Sequence, residues 1–374
     1  MTEFSGFTPL VQSLPASIPF VGPETQERAS GKVFRARVGA NESGFGPAPS
    51  VKQAMREGAE DVWKYCDPEN HDLRQALANH LALAPDQIVV GEGIDGLLGL
   101  IVRQIVTQDT PVVTSLGAYP TFNYHVAGFG GRLVTVPYRD DREDLDALLA
   151  AVKREGAPLV YLANPDNPMG TWNTSADIVS FAQALPEQTL LVLDEAYGEM
   201  APDGIIPASN ALLDSSNILR MRTFSKAYGL AGLRCGYAFG STGTIASFDK
   251  VRNHFGVNKM AQIAALAALQ DQDYLRAVCD RITASRQRIE EIALANNLQP
   301  LASATNFVTL DCGRDAGFAK HLLEALGQRG IFVRMPGVAP LNRCIRISTG
   351  PDEALDILQE ELPEAIKTAD AAGR

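Results

Sequence analysis

Short apolar runs alternate with helical segments from Ile88 onward, and this alternation constrains the fold more than any other feature of the chain. Continuous apolar strands that alternate with amphipathic helices such as Leu145–Lys153 and Ser175–Ala184 indicate a mostly parallel sheet covered on both faces. We therefore predict an α/β fold with about seven strands between residues 88 and 240. The predicted strands are Ile88–Val90, Pro111–Ser115, Leu133–Val136, Leu159–Ala163, Leu190–Leu193, Ile218–Met221 and Gly236–Phe239.

The length of the chain, 374 residues, favours two lobes, because a single hydrophobic core rarely grows that large. We predict an N-terminal arm and part of a small domain over residues 1–45, a large domain over 46–265 and a small α+β domain over 266–374. The proline-rich residues 1–37 are expected to be extended. Further predicted elements are a helix Ser50–Glu60 capped by Ser50, a helix Asp72–Leu83, one long or broken helix Met260–Asn296, strands Phe307–Asp311, Ile331–Val333 and Cys344–Ile347, and helices Ala316–Leu326 and Pro351–Leu362.

Composition argues against several classes of protein. The net charge is −11 and there is no basic run, so we expect no nucleic-acid partner. The longest apolar stretches are far shorter than a membrane span, and residues 1–4 do not begin a secretory signal, so we expect no membrane association and a cytoplasmic location. The five cysteines are scattered and form no Cys-x-x-Cys pair, so we predict neither a disulfide framework nor a metal site.

A glycine-spaced segment, Gly91-Glu92-Gly93-Ile94-Asp95-Gly96, follows the first predicted strand. Its spacing matches a dinucleotide-binding motif, which would make the protein a nicotinamide-dependent oxidoreductase. That function needs an acidic residue at the end of the next strand, and the run Pro111–Leu116 has none. We therefore favour a helix N-terminus whose backbone amides at Gly93, Ile94 and Asp95 bind a single phosphate.

A second phosphate-binding pattern surrounds a lysine after the strand Ile218–Met221. Lys226 lies between the hydroxyls of Thr223 and Ser225 and the guanidinium of Arg234. Hydroxyls and an arginine suit a phosphate monoester, and a lysine beside that phosphate can form a Schiff base with an aldehyde of the same ligand. The cofactor that carries both groups is pyridoxal 5′-phosphate.

Polar and aromatic side chains follow three other predicted strands. Asn167 lies in the rigid loop Asn164-Pro165-Asp166-Asn167-Pro168, and Asp194 and Tyr197 lie at the end of the strand that follows. A carboxylate such as Asp194 would keep a pyridine nitrogen protonated, while Tyr197 and Asn167 would bind the ring oxygen. An aromatic side chain from Tyr119–Tyr124 would stack on the ring.

These motifs, in this order, resemble the fold-type I pyridoxal-phosphate-dependent aminotransferases of class I/II. They are Asn167-Pro168-Met169-Gly170, Asp194-Glu195-Ala196-Tyr197, Ser225-Lys226 and Gly232-Leu233-Arg234-Cys235-Gly236. Within that group the chain is most similar to the histidinol-phosphate aminotransferase family. That likeness is carried by Ala40-Asn41-Glu42, the loop around Tyr65, Gly330-Ile331-Phe332-Val333-Arg334 and Cys344-Ile345-Arg346-Ile347-Ser348.

The resemblance implies roles for individual residues. Lys226 would attach the cofactor and shuttle the Cα proton, Asp194 would pair with the pyridine nitrogen, and Phe122 would stack on the ring in a position where tyrosine is frequent. Arg346, with help from Arg334, would bind the anionic end of the substrate. The remaining implied assignments are Tyr197 and Asn167 on the ring oxygen, Thr223, Ser225, Arg234 and the amides of Gly93, Ile94 and Asp95 on the phosphate, Asn41 on the substrate side, and Tyr65 reaching in from a second subunit of a homodimer.

We accordingly predict an aminotransferase that uses pyridoxal 5′-phosphate and small-molecule substrates. The amino donor would be an amino acid or an amino-alcohol phosphate resembling histidinol phosphate, and the acceptor a 2-oxo acid such as 2-oxoglutarate. Two alternatives remain open at this point. One is a decarboxylase or racemase that uses the same cofactor, and the other is an aminotransferase for aromatic or other amino acids.

Overall fold

The computed structural model describes residues 4, 6–16, 21–213 and 215–373. The strands in that part of the chain are β1 (Ala36–Arg37), β2 (Ile88–Gly91), β3 (Pro111–Ser115), β4 (Arg132–Val136), β5 (Leu159–Ala163), β6 (Leu190–Asp194), β7 (Ile218–Thr223), β8 (Gly236–Gly240), β9 (Gln299–Pro300), β10 (Phe307–Asp311), β11 (Ile331–Phe332) and β12 (Cys344–Ser348). The helices are α1 (Pro9–Ser13), α2 (Pro23–Ser30), α3 (Pro49–Gly58), α4 (His71–Leu81), α5 (Gly93–Ile105), α6 (Pro120–Gly128), α7 (Leu145–Glu155), α8 (Ser175–Ala184), α9 (Thr242–Ala246), α10 (Lys259–Gln270), α11 (Gln272–Ala295), α12 (Ala316–Gln328) and α13 (Asp352–Ala372).

The large sheet confirms the predicted α/β fold. Its strand order is β2-β8-β7-β6-β5-β3-β4, and every pairing is parallel except the two made by β8, which runs antiparallel to both of its neighbours. All seven predicted strands are present, and several extend one or two residues beyond the predicted ends. The carboxyl ends of β3, β5, β6 and β7 therefore meet at one edge of the sheet, where open α/β sheets bind ligands.

Several predicted helix boundaries are wrong for identifiable reasons. Ser50 does not cap α3, since the helix begins at Pro49 with Ala48 before it, and the Ser50 hydroxyl donates to the Asp271 carboxylate instead. α13 does not end at Leu362. It continues through Pro363 to Ala372 and buries further alanines in the small-domain core.

The predicted long helix is broken at one residue. Asp271 separates α10 from α11, and its side chain accepts a hydrogen bond of 3.1 Å from the amide of Tyr274, as a helix cap does. The predicted extended arm is also wrong for the part that the structure describes. Helices α1 and α2 form there, each with a proline in its first turn, a position where proline costs no hydrogen bond.

The smaller sheets lie in the C-terminal part of the chain. β12, β10 and β9 form an antiparallel sheet, while β1 pairs in parallel with β11 and so joins the N-terminal segment to this lobe. Helix α11 contributes to two cores: Val278 and Ile282 pack in the core that includes α10 and β8, and Ile289 and Ile292 pack in the core of the small lobe. The domain limits at residues 45 and 265 stay a prediction.

In the described residues, no helix is long and apolar enough to cross a bilayer. Nor does that part of the chain contain a group of three or more histidine, cysteine, aspartate or glutamate side chains arranged to hold a metal ion.

Candidate active site

A cavity of about 310 Å³ opens at the carboxyl ends of the parallel strands. It is formed by the loops that follow β3, β5, β6 and β7 together with the start of α5 and the segment around Ala40. Many of the residues predicted from the sequence line it, namely Ile94, Asp95, Asn167, Asp194, Tyr197, Thr223, Ser225, Lys226 and Arg234. Segments that are far apart in the chain thus meet at one site.

Lys226 follows β7 and extends its amine into this cavity. The Nζ atom donates a hydrogen bond of 3.0 Å to the carbonyl oxygen of Asn41 and lies 5.6 Å from the centre of the Tyr197 ring. Burial, helped by the positive charge of Arg346, lowers the pKa of Lys226 to about 8. About a tenth of the amine is therefore neutral and nucleophilic at pH 7, far more than for a lysine of ordinary pKa.

Asp194 is the last residue of β6 and is buried beneath the cavity. Its carboxylate accepts a hydrogen bond of 2.8 Å from the Tyr161 hydroxyl and one of 3.0 Å from the backbone amide of Ala196. Burial raises the pKa of Asp194 to about 6, and these two hydrogen bonds act in the opposite direction because they favour the charged form. The group is thus a carboxylate at neutral pH, although a weakly solvated one.

The Tyr197 hydroxyl is the meeting point of two asparagines. It accepts a hydrogen bond of 3.1 Å from Asn41 Nδ2 and one of 3.3 Å from Asn167 Nδ2. Asn41 is held in turn by Ser348, whose hydroxyl accepts a hydrogen bond from the backbone amide of Asn41 and donates one to Asn41 Oδ1. Burial raises the pKa of Tyr197 to about 12, so the phenol keeps its proton and can donate it to a ligand.

The hydroxyls of Thr223 and Ser225 and the guanidinium of Arg234 lie together at one part of the cavity wall. Thr223 Oγ1 lies 2.9 Å from Ser225 Oγ, and Arg234 Nη1 donates to the same Ser225 oxygen at 3.3 Å. Arg234 adopts a left-handed backbone conformation with φ of +56° and also pairs with Asp95 at 3.4 Å. This donor set suits an anion such as a phosphate monoester.

The N-terminus of α5 completes this side. Gly93 has φ of +77°, and a Cβ built on it would lie 2.6 Å from Arg234 Nη2, so only glycine lets the arginine approach the start of the helix. The first amides of a helix have no partner within it, and they favour an anion. Beside them, the Tyr119 hydroxyl donates to Asp95 at 2.9 Å.

The predicted stacking residue, Phe122, is outside the cavity. Its side chain is fully buried in α6 and stacks on Tyr161 with ring centres 4.6 Å apart. Tyr119, three residues earlier, lines the cavity instead. Tyr119 precedes Pro120, the first residue of α6, whereas Phe122 lies inside the helix and is covered by its neighbours, so packing leaves Tyr119 and not Phe122 at the cavity.

The two predicted substrate arginines lie side by side on the small lobe. The backbones of Arg334 and Arg346 form an antiparallel bridge. The Arg346 side chain donates a hydrogen bond to Oδ1 of Asn167, which lies in the loop after β5 of the large sheet. Arg346 Nε is buried and has no hydrogen-bond partner in the described chain. Arg334 donates to the backbone oxygen of Val21 at 2.9 Å. Burial lowers the pKa of both guanidinium groups.

Tyr65 does not line the cavity of its own chain. Its side chain is 83% exposed and contacts the exposed ring of Phe255, with the ring centres 5.0 Å apart. Val62 and Trp63 are exposed beside it in the chain.

Sequence reasoning missed three residues at this site. Tyr161 supports Asp194 from β5, Tyr119 lines the cavity, and Asp166 is a buried member of the loop that carries Asn167. Tyr161 reads as an ordinary core residue inside an apolar strand. Asp166 lies between the two Asn-Pro pairs of the Asn164–Pro168 loop, and an acidic residue in that position is a signal in the sequence.

The lining residues fit pyridoxal 5′-phosphate. The anion-binding donors of Thr223, Ser225 and Arg234 lie beside an α5 N-terminus that a Cβ at Gly93 would obstruct. The partly neutral amine of Lys226 suits an aldehyde, and the buried carboxylate of Asp194 suits a protonated ring nitrogen.

The chain is similar to known proteins over nearly its whole length. Residues 37–362 match the family model described as aminotransferase class I and II. A histidinol-phosphate aminotransferase from Geobacillus sp. (strain WCH70) is 30% identical over 358 residues, which cover 96% of this chain and 97% of that protein.

Solved structures agree with this match. The histidinol-phosphate aminotransferase from Sinorhizobium meliloti in complex with pyridoxal-5′-phosphate is 63% identical, with a TM-score of 0.96 over 98% of this chain and 99% of that chain. The Thermus thermophilus aspartate aminotransferase with maleate is 23% identical, with a TM-score of 0.79 over 97% of this chain and 100% of that chain, and it shows the fold alone. This chain belongs to the aminotransferase class I and II family and is a pyridoxal-phosphate-dependent aminotransferase.

Proposed function

We propose that this enzyme moves the amino group of histidinol phosphate to 2-oxoglutarate. Two of the similar proteins described above are named histidinol-phosphate aminotransferases, and one of these is 63% identical. The observation that carries the proposal is the buried Nε of Arg346, an unpartnered donor beside the cavity that suits an anionic substrate group. Neither relative is named as a decarboxylase or a racemase.

Lys226 moves the proton of the substrate Cα in this proposal. Bound pyridoxal phosphate supplies an electron-withdrawing ring that makes the Cα proton acidic. The Nζ of Lys226, with its pKa lowered to about 8, is the base that takes this proton and the acid that returns it. While the amine is free, its hydrogen bond to the Asn41 carbonyl holds it at the cavity wall.

The other lining residues hold the cofactor. Asp194 would pair with the ring nitrogen, supported by the Tyr161 hydroxyl, and Tyr197 together with Asn167 would bind the ring oxygen. Thr223, Ser225, Arg234 and the amides of Gly93, Ile94 and Asp95 would bind the phosphate. Each charge-assisted hydrogen bond to that phosphate contributes roughly 1.5–3 kcal/mol. We assign ring stacking to Tyr119 in place of Phe122.

Residues of the small lobe would select the substrate. Arg346 would bind the anionic end of donor and acceptor, Arg334 would assist, and Asn41 would line the substrate side. Arg346 also donates to Asn167, and Asn167 donates to Tyr197. The arginine proposed to bind the substrate is thus connected through Asn167 to the tyrosine proposed to bind the ring oxygen.

A homodimer is part of the proposal. Val62, Trp63, Tyr65 and Phe255 form an exposed apolar group that a second copy would cover. We propose that Tyr65 reaches the phosphate side of the partner's cavity. The cytoplasmic location expected from the sequence stays a prediction.

A donor panel tests the proposed substrate. The purified enzyme loaded with pyridoxal phosphate is mixed with histidinol phosphate, phenylalanine, tyrosine, lysine or arginine, and formation of pyridoxamine phosphate is scored. We expect histidinol phosphate to give the highest second-order rate constant for formation of pyridoxamine phosphate. An aromatic amino acid reacting faster would overturn this donor, and return to the starting spectrum with loss of carbon dioxide would indicate a decarboxylase.

A further inference from the structure

Asp166 is a buried carboxylate that none of the roles above uses. It lies in the loop between Ala163 and Thr171 and is 1% exposed. Oδ1 accepts a hydrogen bond of 2.8 Å from the Tyr138 hydroxyl, and Oδ2 accepts one of 2.9 Å from the backbone amide of Met169. A carboxylate buried in this way is costly and needs such partners.

The backbone of the same residue closes the loop. The Asp166 amide donates to the Thr171 carbonyl at 2.8 Å, and the Gly170 amide donates to the Asp166 carbonyl at 3.1 Å. Thr309 of β10 adds a hydrogen bond of 2.7 Å to the Pro168 carbonyl. The loop is therefore held from both sides, and Asp166 supplies the only carboxylate among these contacts.

Asn167 follows Asp166 directly in this loop. Its amide group is used at both ends, since Nδ2 donates to the Tyr197 hydroxyl and Oδ1 accepts from Arg346. A rotation of the loop would break both contacts together. Arg346 has no carboxylate within ion-pairing distance in the described chain, so the neutral Asn167 oxygen is its side-chain acceptor there.

The charge of Asp166 acts on the same arginine. Burial raises the pKa of Asp166 to about 7, while the Met169 amide, the Tyr138 hydroxyl and the positive charge of Arg346 favour its ionised form. Glu143 is buried nearby, receives hydrogen bonds from Ser115 and the Ala163 amide, and has its pKa raised well above the usual range.

We propose that Asp166 is a positioning residue for amino transfer, and that its two side-chain hydrogen bonds hold Asn167 so that Arg346 and Tyr197 keep the orientation that the substrate needs. The inference rests on the proposed role of Arg346. It does not depend on which amino donor is physiological.

The decisive experiment compares Asp166→Asn with Asp166→Ala in the full chain loaded with pyridoxal phosphate. Asparagine can accept from the Met169 amide and donate to the Tyr138 oxygen, so it keeps the loop while removing the charge. Alanine removes both hydrogen bonds. Asp146→Asn, on the exposed surface, is the matched control.

Binding of two unreactive anions, maleate and inorganic phosphate, is measured by titrating the visible band of the enzyme. We expect Asp166→Ala to weaken maleate binding about tenfold, through the loss of two hydrogen bonds, and to move the pH midpoint of the visible band. Asp166→Asn should bind within about threefold of wild type, and the surface control should match wild type.

Three outcomes would overturn the proposal. They are wild-type anion binding by Asp166→Ala, an equal loss in both variants, and a wild-type enzyme that binds neither anion. If Asp166→Ala does not fold, Tyr138→Phe removes one hydrogen bond alone and should weaken maleate binding about threefold; unchanged binding would again reject the idea. Because the donor panel is scored separately, this failure is distinct from a failure of histidinol phosphate as donor.

Discussion

The hydroxyl of Tyr161 donates a hydrogen bond of 2.8 Å to the carboxylate of Asp194, from the middle of one buried strand to the end of the next. Both residues are buried, and the hydrogen bond favours the charged carboxylate against the effect of burial. A tyrosine in an otherwise apolar strand thereby lowers the pKa of the carboxylate that is proposed to face the ring nitrogen.

Tyr161→Phe should therefore weaken cofactor binding. The loss of one hydrogen bond worth about 0.5–1.5 kcal/mol corresponds to a dissociation constant for pyridoxal phosphate about 2–12-fold higher. It should also raise the pKa of Asp194, which lowers kcat most at the acidic end of the pH range. Titration of the apoenzyme with cofactor measures the effect, and Tyr124→Phe, which alters an exposed tyrosine, is the control. Unchanged affinity and an unchanged pH profile would show that the contact is structural only.

Capture of the cofactor by the apoenzyme should depend on pH through Lys226. The neutral amine is the reactive form, and burial lowers the pKa of this lysine to about 8. The rate should therefore rise about tenfold per pH unit below pH 7 and level off above pH 8. Stopped-flow absorbance after mixing with pyridoxal phosphate measures it. Lys226→Ala should show no covalent capture and no turnover, and a rate that keeps rising to pH 10 would contradict the lowered pKa.

Gly93→Ala should damage the phosphate side of the cavity. The new Cβ would lie 2.6 Å from Arg234 Nη2, in a backbone conformation with φ of +77° that alanine rarely adopts. Displacement of one charge-assisted contact should raise the dissociation constant for the cofactor at least about tenfold. Gly128→Ala, where nothing lies within 4 Å of the new methyl group, is the control. Affinity within twofold of wild type would mean that Arg234 does not depend on this approach.

Subunit mixing tests the placement of Tyr65. Tyr65→Ala and Lys226→Ala should each have low activity alone. In a mixed dimer, the cavity that retains Lys226 would receive an intact Tyr65 from the other chain, so activity should return to about one quarter of wild type after full random exchange, which makes half of the dimers mixed. The assay follows turnover and mass in the same sample. Full exchange without recovery would place Tyr65 outside the partner's site.

The amino-acid sequence by itself determined two things, the strands of the large sheet and the chemistry of the cofactor site, and it did so through different residues. Seven apolar runs between Ile88 and Phe239 were enough to predict the sheet, because strands buried on both faces leave a continuous apolar signal. The motifs around Asn167, Asp194 and Lys226 indicated pyridoxal phosphate from the residue types alone, and the comparisons confirm that cofactor for the family.

Tertiary packing decided the rest, since it depends on which side chains neighbouring elements cover. The packing of α6 buries Phe122 on Tyr161 and leaves Tyr119 at the cavity. Pairing of β10 with β12 brings Arg346 to Asn167 across 179 positions of sequence, and no local pattern encodes that contact. Local periodicity reports which face of an element is apolar. It carries no information on where two distant segments meet. The contact of Arg346 with Asn167 depends on such a meeting, so only the tertiary structure decides it.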